Sequence, residues 1–139
     1  ILEFRRVLEG ATAYFAALRA DAPDIERLRG LLDELERARE ADDTAAEAKA
    51  DARLHEAIAA ASHNTMFLHL HTSVIGMLRE HITNNGAGLR AAGEHTAEQL
   101  LTQHRALCEA ICARQPDAAK SAMQGHIDFV RSRVEAAHE

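Results

Sequence analysis

Apolar residues recur at intervals of three and four from one end of the chain to the other, and nowhere do they alternate with polar residues over the length of a strand. That period is the helical one, so the backbone has few alternatives to a set of packed helices. Two prolines and seven glycines are too few to break it into short strands and turns. Apolar residues make up 47% of the chain but aromatic ones only 4%, so the core must be Leu, Ala, Ile, Val and Met, with helices packed closely over alanines. The 139 residues suit one domain, and a chain of this size buries roughly two thirds of its unfolded surface. The expected fold is all-α: a single soluble domain over residues 1–139, built as an antiparallel bundle of about six helices.

The first helix is expected over about 1–20, with Phe4, Val7, Leu8, Ala11, Phe15 and Leu18 as its apolar stripe. Pro23, behind Asp21, suits the first turn of a second helix that carries Ile25, Leu28, Leu32 and Leu35 and runs to about Ala41. Asp42, Asp43 and Thr44 supply caps and first-turn negative charge for a third, ending near His63, with Asp51, Leu54, His55 and Ile58 on one side. Asn64 caps a fourth, whose expected inner stripe is Met66, Leu70, Val74, Met77 and His81. The stretch from Thr83 to Gly93, with three glycines, is the longest loop candidate. Thr96 and Gln99 have the spacing of a capping box and open a fifth helix carrying Leu100, His104, Leu107, Cys108 and Ile111. Pro116 and Asp117 open the sixth, where Ala119, Ala122, Met123, His126 and Val130 align.

A formal net charge of -6 argues against this polypeptide itself wrapping a phosphate backbone, which needs a basic face. Cys108 and Cys112 are four apart, neither a zinc-ribbon nor a redox spacing, and read as reduced residues in or near the core of a cytoplasmic protein. No apolar run approaches the ~20 residues of a membrane helix, and no signal peptide is visible. The chain opens at Ile1 directly inside a helical pattern, as expected of a piece of something longer.

Asp51 and His55, four apart, present a carboxylate and an imidazole in one direction from adjacent turns. His104 and His126 each fall at the centre of an apolar stripe and should point inward. A lone inward histidine is more often a core residue bonded to a carbonyl, but two on separate helices beside an Asp-x-x-x-His pair favour another solution. Burying all four without partners would cost several kcal/mol, which a shared cation relieves. Three imidazoles and one carboxylate suit a divalent ion, with zinc the first candidate and nickel, manganese or iron admissible. His81 reads as a core histidine near a helix end. His63, His69, His71, His95 and His138 receive no role, and Glu135 with His138 lacks the second copy a di-iron bundle needs. Arg5, at the margin of the first stripe, could anchor a carboxylate through charge-assisted hydrogen bonds, although periodicity alone makes it a solvated or salt-bridged side chain.

These pieces together resemble the FCD domain, the C-terminal sensing domain of GntR-type bacterial transcription regulators of the FadR class. The resemblance rests on Glu3-Phe4-Arg5 with Leu8-Glu9-Gly10, on the run Asp51 to Ile58 followed by Ala61-Ser62-His63-Asn64, and on Gln103-His104 and Gly125-His126. It covers essentially the whole chain. It implies that Asp51, His55, His104 and His126 hold a divalent metal and that the metal helps bind a small carboxylate effector. The Leu-Glu-Gly segment and the run from Ala57 to Asn64 look most similar to the regulators responding to lactate, glycolate or pyruvate. It further implies a homodimeric full-length protein that contacts operator DNA through a winged helix-turn-helix domain preceding this region. The alternative from another class is a metal-dependent hydrolase, since an Asp/His-bound cation can acidify water. No general base or nucleophile motif is placed near the ligands for that purpose.

Overall fold

The computed structural model describes residues 2–77 and 94–137, and among these it contains helices and no strand. We label the helices α1 (Leu2–Arg19), α2 (Ala22–Glu40), α3 (Thr44–Ala61), α4 (Thr65–Leu70), α5 (Glu94–Cys112) and α6 (Pro116–Ala137), with a π-helical turn at His71–Ile75 extending α4. The all-α expectation holds, and six helices lie among the described residues. His81, His138 and the expected loop from Thr83 to Gly93 lie outside the described residues.

Most helix ends are written locally. Asp21 and Asp24 cap each other's backbone in a reciprocal box, with Pro23 in the first turn of α2. Asp43 accepts from the Ala46 N–H at the start of α3, and Asn64 accepts from both Met66 and Phe67 at the start of α4. The tight reversals after α2, α3 and α5 each pass through one residue with positive φ: Asp42, His63 and Arg114. These left-handed residues turn the chain back so that successive helices pack antiparallel. The expected capping box at Thr96 and Gln99 is corrected: α5 already begins at Glu94, and Thr96 is a buried residue inside its first turns.

The main core cluster is centred on Leu28, Leu54, Ile58, Leu107, Ile111, Met123 and Ile127, with alanines from α1 and α3 filling the space between. Helix α1 lies at its heart, against α6 along most of its length and against α3 and α5 at its inner side. Gly10 lets α1 approach α6, since a Cβ there would stand 3.1 Å from the Gln124 side chain. Cys108 is buried and Cys112 partly so, both as free thiols. Burial, with the nearby Cys112 and Glu109, pushes the Cys108 thiol up to about 12.

Two expected stripes are only partly inward: Leu8 is buried and Leu70 and Val74 pack on it, but other members of each stripe are exposed. On α1, Phe4, Val7 and Leu18 are exposed, Val7 by 63%, whereas Arg5, Leu8, Glu9, Thr12, Ala13, Ala16 and Ala17 are buried. The helix turns its large apolar residues outward because the interior offers room only for alanines beside a polar site. On α4 and its extension, Met66 and Met77 are exposed, Met77 by 73%, while Phe67, Leu70 and Val74 pack on Leu8. His71 belongs to that same inner face and is buried.

Candidate metal centre

Helix α3 presents Asp51 and His55 one turn apart, α5 presents His104 and α6 presents His126. One ligand atom from each of these four lies within 4.8 Å of the others. The fold therefore brings together the whole ligand set expected from sequence. The three imidazoles are buried, with ring centroids 4.5–5.7 Å apart, and Asp51 closes the rim with a side chain 34% exposed.

The bonding of each ring shows which nitrogen turns inward. His55 Nδ1 lies 2.6 Å from Glu9 Oε1, and a carboxylate can only accept, so Nδ1 carries a proton and donates. His126 Nδ1 lies 2.8 Å from Gln103 Oε1 and donates to that amide oxygen. The Nε2 atoms of His55 and His104 stand 3.3 Å and 2.8 Å from Asp51 Oδ1. Those distances allow charge attraction, yet neither nitrogen makes a hydrogen bond of acceptable geometry. Buried imidazole nitrogens from separate helices that converge on one carboxylate are an arrangement a shared cation can complete. The outer bonds of His55 and His126 are the partners that fix ring orientation in metal sites. The donor set fits a divalent ion.

The electrostatics agree. Burial alone would raise the pKa of Asp51, but the neighbouring His55 and His104 overcome it and hold the carboxyl well below the usual range. Burial would lower His55, but Glu9 and Asp51 on either side raise it. Burial, reinforced by His104 and His55, pushes His126 well below the ordinary imidazole value. With two carboxylates facing His55 and none bonded to His126, the site holds both a charged-leaning and a neutral imidazole.

Arg5 is not a stripe-margin residue. It is 4% exposed, and its Nε pairs with the carboxylate of Glu9, which is fully buried. Glu9 also receives His71 Nε2 at 3.2 Å. Burial would raise Glu9, but His55 and Arg5 hold it well below the usual carboxylate range. Arg5 thus reaches the site through Glu9 and His55, and its charge contributes to the lowering of His126. Sequence reasoning passed over Glu9, His71 and Gln103 as site residues. Arg5-x-x-x-Glu9 had the i,i+4 spacing of a helical ion pair, and Phe67, Leu70, His71 and Val74 had the spacing of one face. Gln103 stands beside His104, and nothing in its spacing marked it.

The FCD domain family matches residues 1–129 of this chain. The "Putative L-lactate dehydrogenase operon regulatory protein" of Escherichia coli (strain K12) is 32% identical over 134 residues, spanning 96% of this chain and 50% of the relative. The HTH-type transcriptional regulator LutR of Bacillus subtilis (strain 168) is 31% identical over 130 residues, 94% of this chain and 58% of the relative. The chain spans about half the length of the curated relatives it matches. Among solved structures, Streptococcus agalactiae GntR superposes with a TM-score of 0.77 at 26% identity, covering 94% of this chain and 56% of that one. E. coli McbR/YncC shares the fold, with a TM-score of 0.82 at 17% identity over 99% of this chain and 63% of that one. The helical bundle, the family match over its length and the regulators it resembles converge: the chain belongs to the FCD domain family, the ligand-sensing domains of GntR-type transcription regulators.

Proposed function

We propose that this domain senses a small carboxylate effector through a divalent metal held by Asp51, His55, His104 and His126. The observation that carries the reading is the convergence of buried ring nitrogens from three helices on the Asp51 carboxylate, with one ligand atom of each residue within 4.8 Å of the others. A cation there, with zinc the first candidate, would supply open positions and positive charge for an effector carboxylate. Asp51, partly exposed, marks the side on which the site meets solvent. Arg5, already paired with Glu9 and close enough to lower His126, adds positive charge that favours the same anion.

Lactate and other 2-hydroxy acids head the effector list, because one relative is a regulatory protein of an L-lactate dehydrogenase operon and the sequence resemblance points to the same subgroup. Binding would act by population shift: the effector changes operator affinity only through its different affinity for two packings of the bundle. Operator contact itself belongs to a winged helix-turn-helix domain outside this chain, in a cytoplasmic homodimer. No described helix is long and apolar enough to cross a membrane. Relatives that are regulators favour sensing over hydrolysis as the use of such a metal.

Metal ligands must shed their protons, so acid competes with the metal. His55 leans toward the protonated form because Glu9 and Asp51 raise it, and the proton on Nε2 is the one a metal displaces. Elemental analysis of zinc-supplemented protein is expected to give one equivalent per chain near pH 7.5 and progressive loss as pH falls through about 6. Much less than half an equivalent at the higher pH would reject the metal.

A further inference from the structure

We propose that Glu9 is the positioning residue of the metal centre: one buried carboxylate that fixes the His55 tautomer while being held by Arg5 from its own helix and by His71 from the turn after α4. The inference rests on the metal reading above and extends it to residues outside the ligand set.

Glu9 is fully buried, and its oxygens meet three donors. Oε2 pairs with Arg5 Nε, one turn back on α1. Oε1 accepts from His55 Nδ1 at 2.6 Å and from His71 Nε2 at 3.2 Å. An ionised carboxylate has no proton to give, so both imidazoles must donate to it. For His55 this has a definite consequence. Its Nδ1 keeps a proton at all times, which leaves Nε2 as the only atom able to offer a lone pair, and Nε2 is the atom that faces Asp51 and His104. A neutral His55 released from Glu9 could exchange to the other tautomer and turn an N–H toward the cluster.

The other two contacts explain why Glu9 stays put. Arg5 neutralises its charge within the same helix. His71 reaches it from the π-helical turn His71–Ile75, an irregularity found chiefly where a helix must re-aim side chains at a site. Thr72 is bonded to the Leu68 carbonyl in the same stretch, and Phe67, Leu70 and Val74 seat it on Leu8, next to Glu9 in α1. Glu9 therefore joins three elements: α1, the metal-bearing helix α3 and the turn after α4. Partners of this kind orient the ring and raise its basicity, and their loss costs roughly 10–100-fold in metal affinity.

The test compares wild type with Glu9→Gln, and with the double variant Arg5→Met and Glu9→Met, which removes both buried charges and so keeps a folded protein available if the single variant unfolds. Zinc affinity is measured by competition with a chromophoric chelator, and the His55 tautomer by long-range 1H–15N correlation on metal-free protein. Expected are a His55 with its proton on Nδ1 in wild type, a mixed or reversed tautomer in the variants, and zinc affinity lower by roughly 10–100-fold. A structural role alone would lower the melting temperature without moving the tautomer. Variants that fold, keep the wild-type tautomer and bind zinc as wild type does would overturn the proposal while leaving the metal standing. Failure of wild type itself to bind zinc would overturn the metal reading, and this inference with it.

Discussion

Replacing Arg5 by alanine is expected to destabilise the metal-free domain by about 3–5 kcal/mol, because it strands the buried Glu9 carboxylate without its cation. From sequence, Arg5 reads as a solvated or salt-bridged margin residue; it is salt-bridged, but buried. The sign of the pH dependence follows from Glu9. Its folded pKa is depressed, so its contribution is complete above the unfolded value near 4.3 and is lost as pH falls through the lower folded one. Arg5 is one of the causes of that depression. Its removal should move the acid-unfolding midpoint upward, in addition to lowering stability at neutral pH. Urea titrations of both proteins at a series of pH values check this, and a variant within about 0.5 kcal/mol of wild type would show that the pair carries no such weight.

The second large effect is on metal. His104→Ala removes one of four ligands and should lower zinc affinity by more than the roughly 10–100-fold that loss of an outer partner costs. It should do so with little change in the chelator-treated protein. In the metal-free fold His104 Nε2 has only Asp51, 2.8 Å away, to attract it, which contributes far less than a bound cation would. Melting curves with and without zinc separate the two: wild type and variant should lie close when stripped and far apart when loaded. A variant that still retains a full equivalent of zinc against a chelator would remove His104 from the ligand set.

The fold class and the four converging ligands were legible because both depend on local rules. Helical period, caps at Asp21, Asp43 and Asn64, and the four-residue step from Asp51 to His55 require no knowledge of what packs where. The orientation of α1 was not legible. Its outer face carries Phe4, Val7 and Leu18, and its inner face carries Arg5, Glu9 and Thr12 beside Leu8 and alanines, so apolar periodicity does not separate the two faces. This arises because the interior at that level is a polar site, and pairing, not hydrophobicity, stabilises what is buried there. His71 was lost for a related reason: counting Met66 and Met77 as inward shifted the face by one residue. Gln103 shows a further limit, since its role exists only through His126, on the next helix.

The most direct test of metal-mediated sensing is a thermal-shift comparison of zinc-loaded and chelator-stripped protein with lactate, glycolate, pyruvate and dicarboxylates near neutral pH. A ligand that binds only the folded domain stabilises it by about 2.7 kcal/mol at a hundredfold excess over its dissociation constant, a shift of several degrees for a domain of this size. At least one 2-hydroxy acid is expected to produce such a shift in the loaded protein and little or none in the stripped protein. Equal shifts in the two, or no shift with any acid in the loaded protein, would contradict sensing of a carboxylate through the metal.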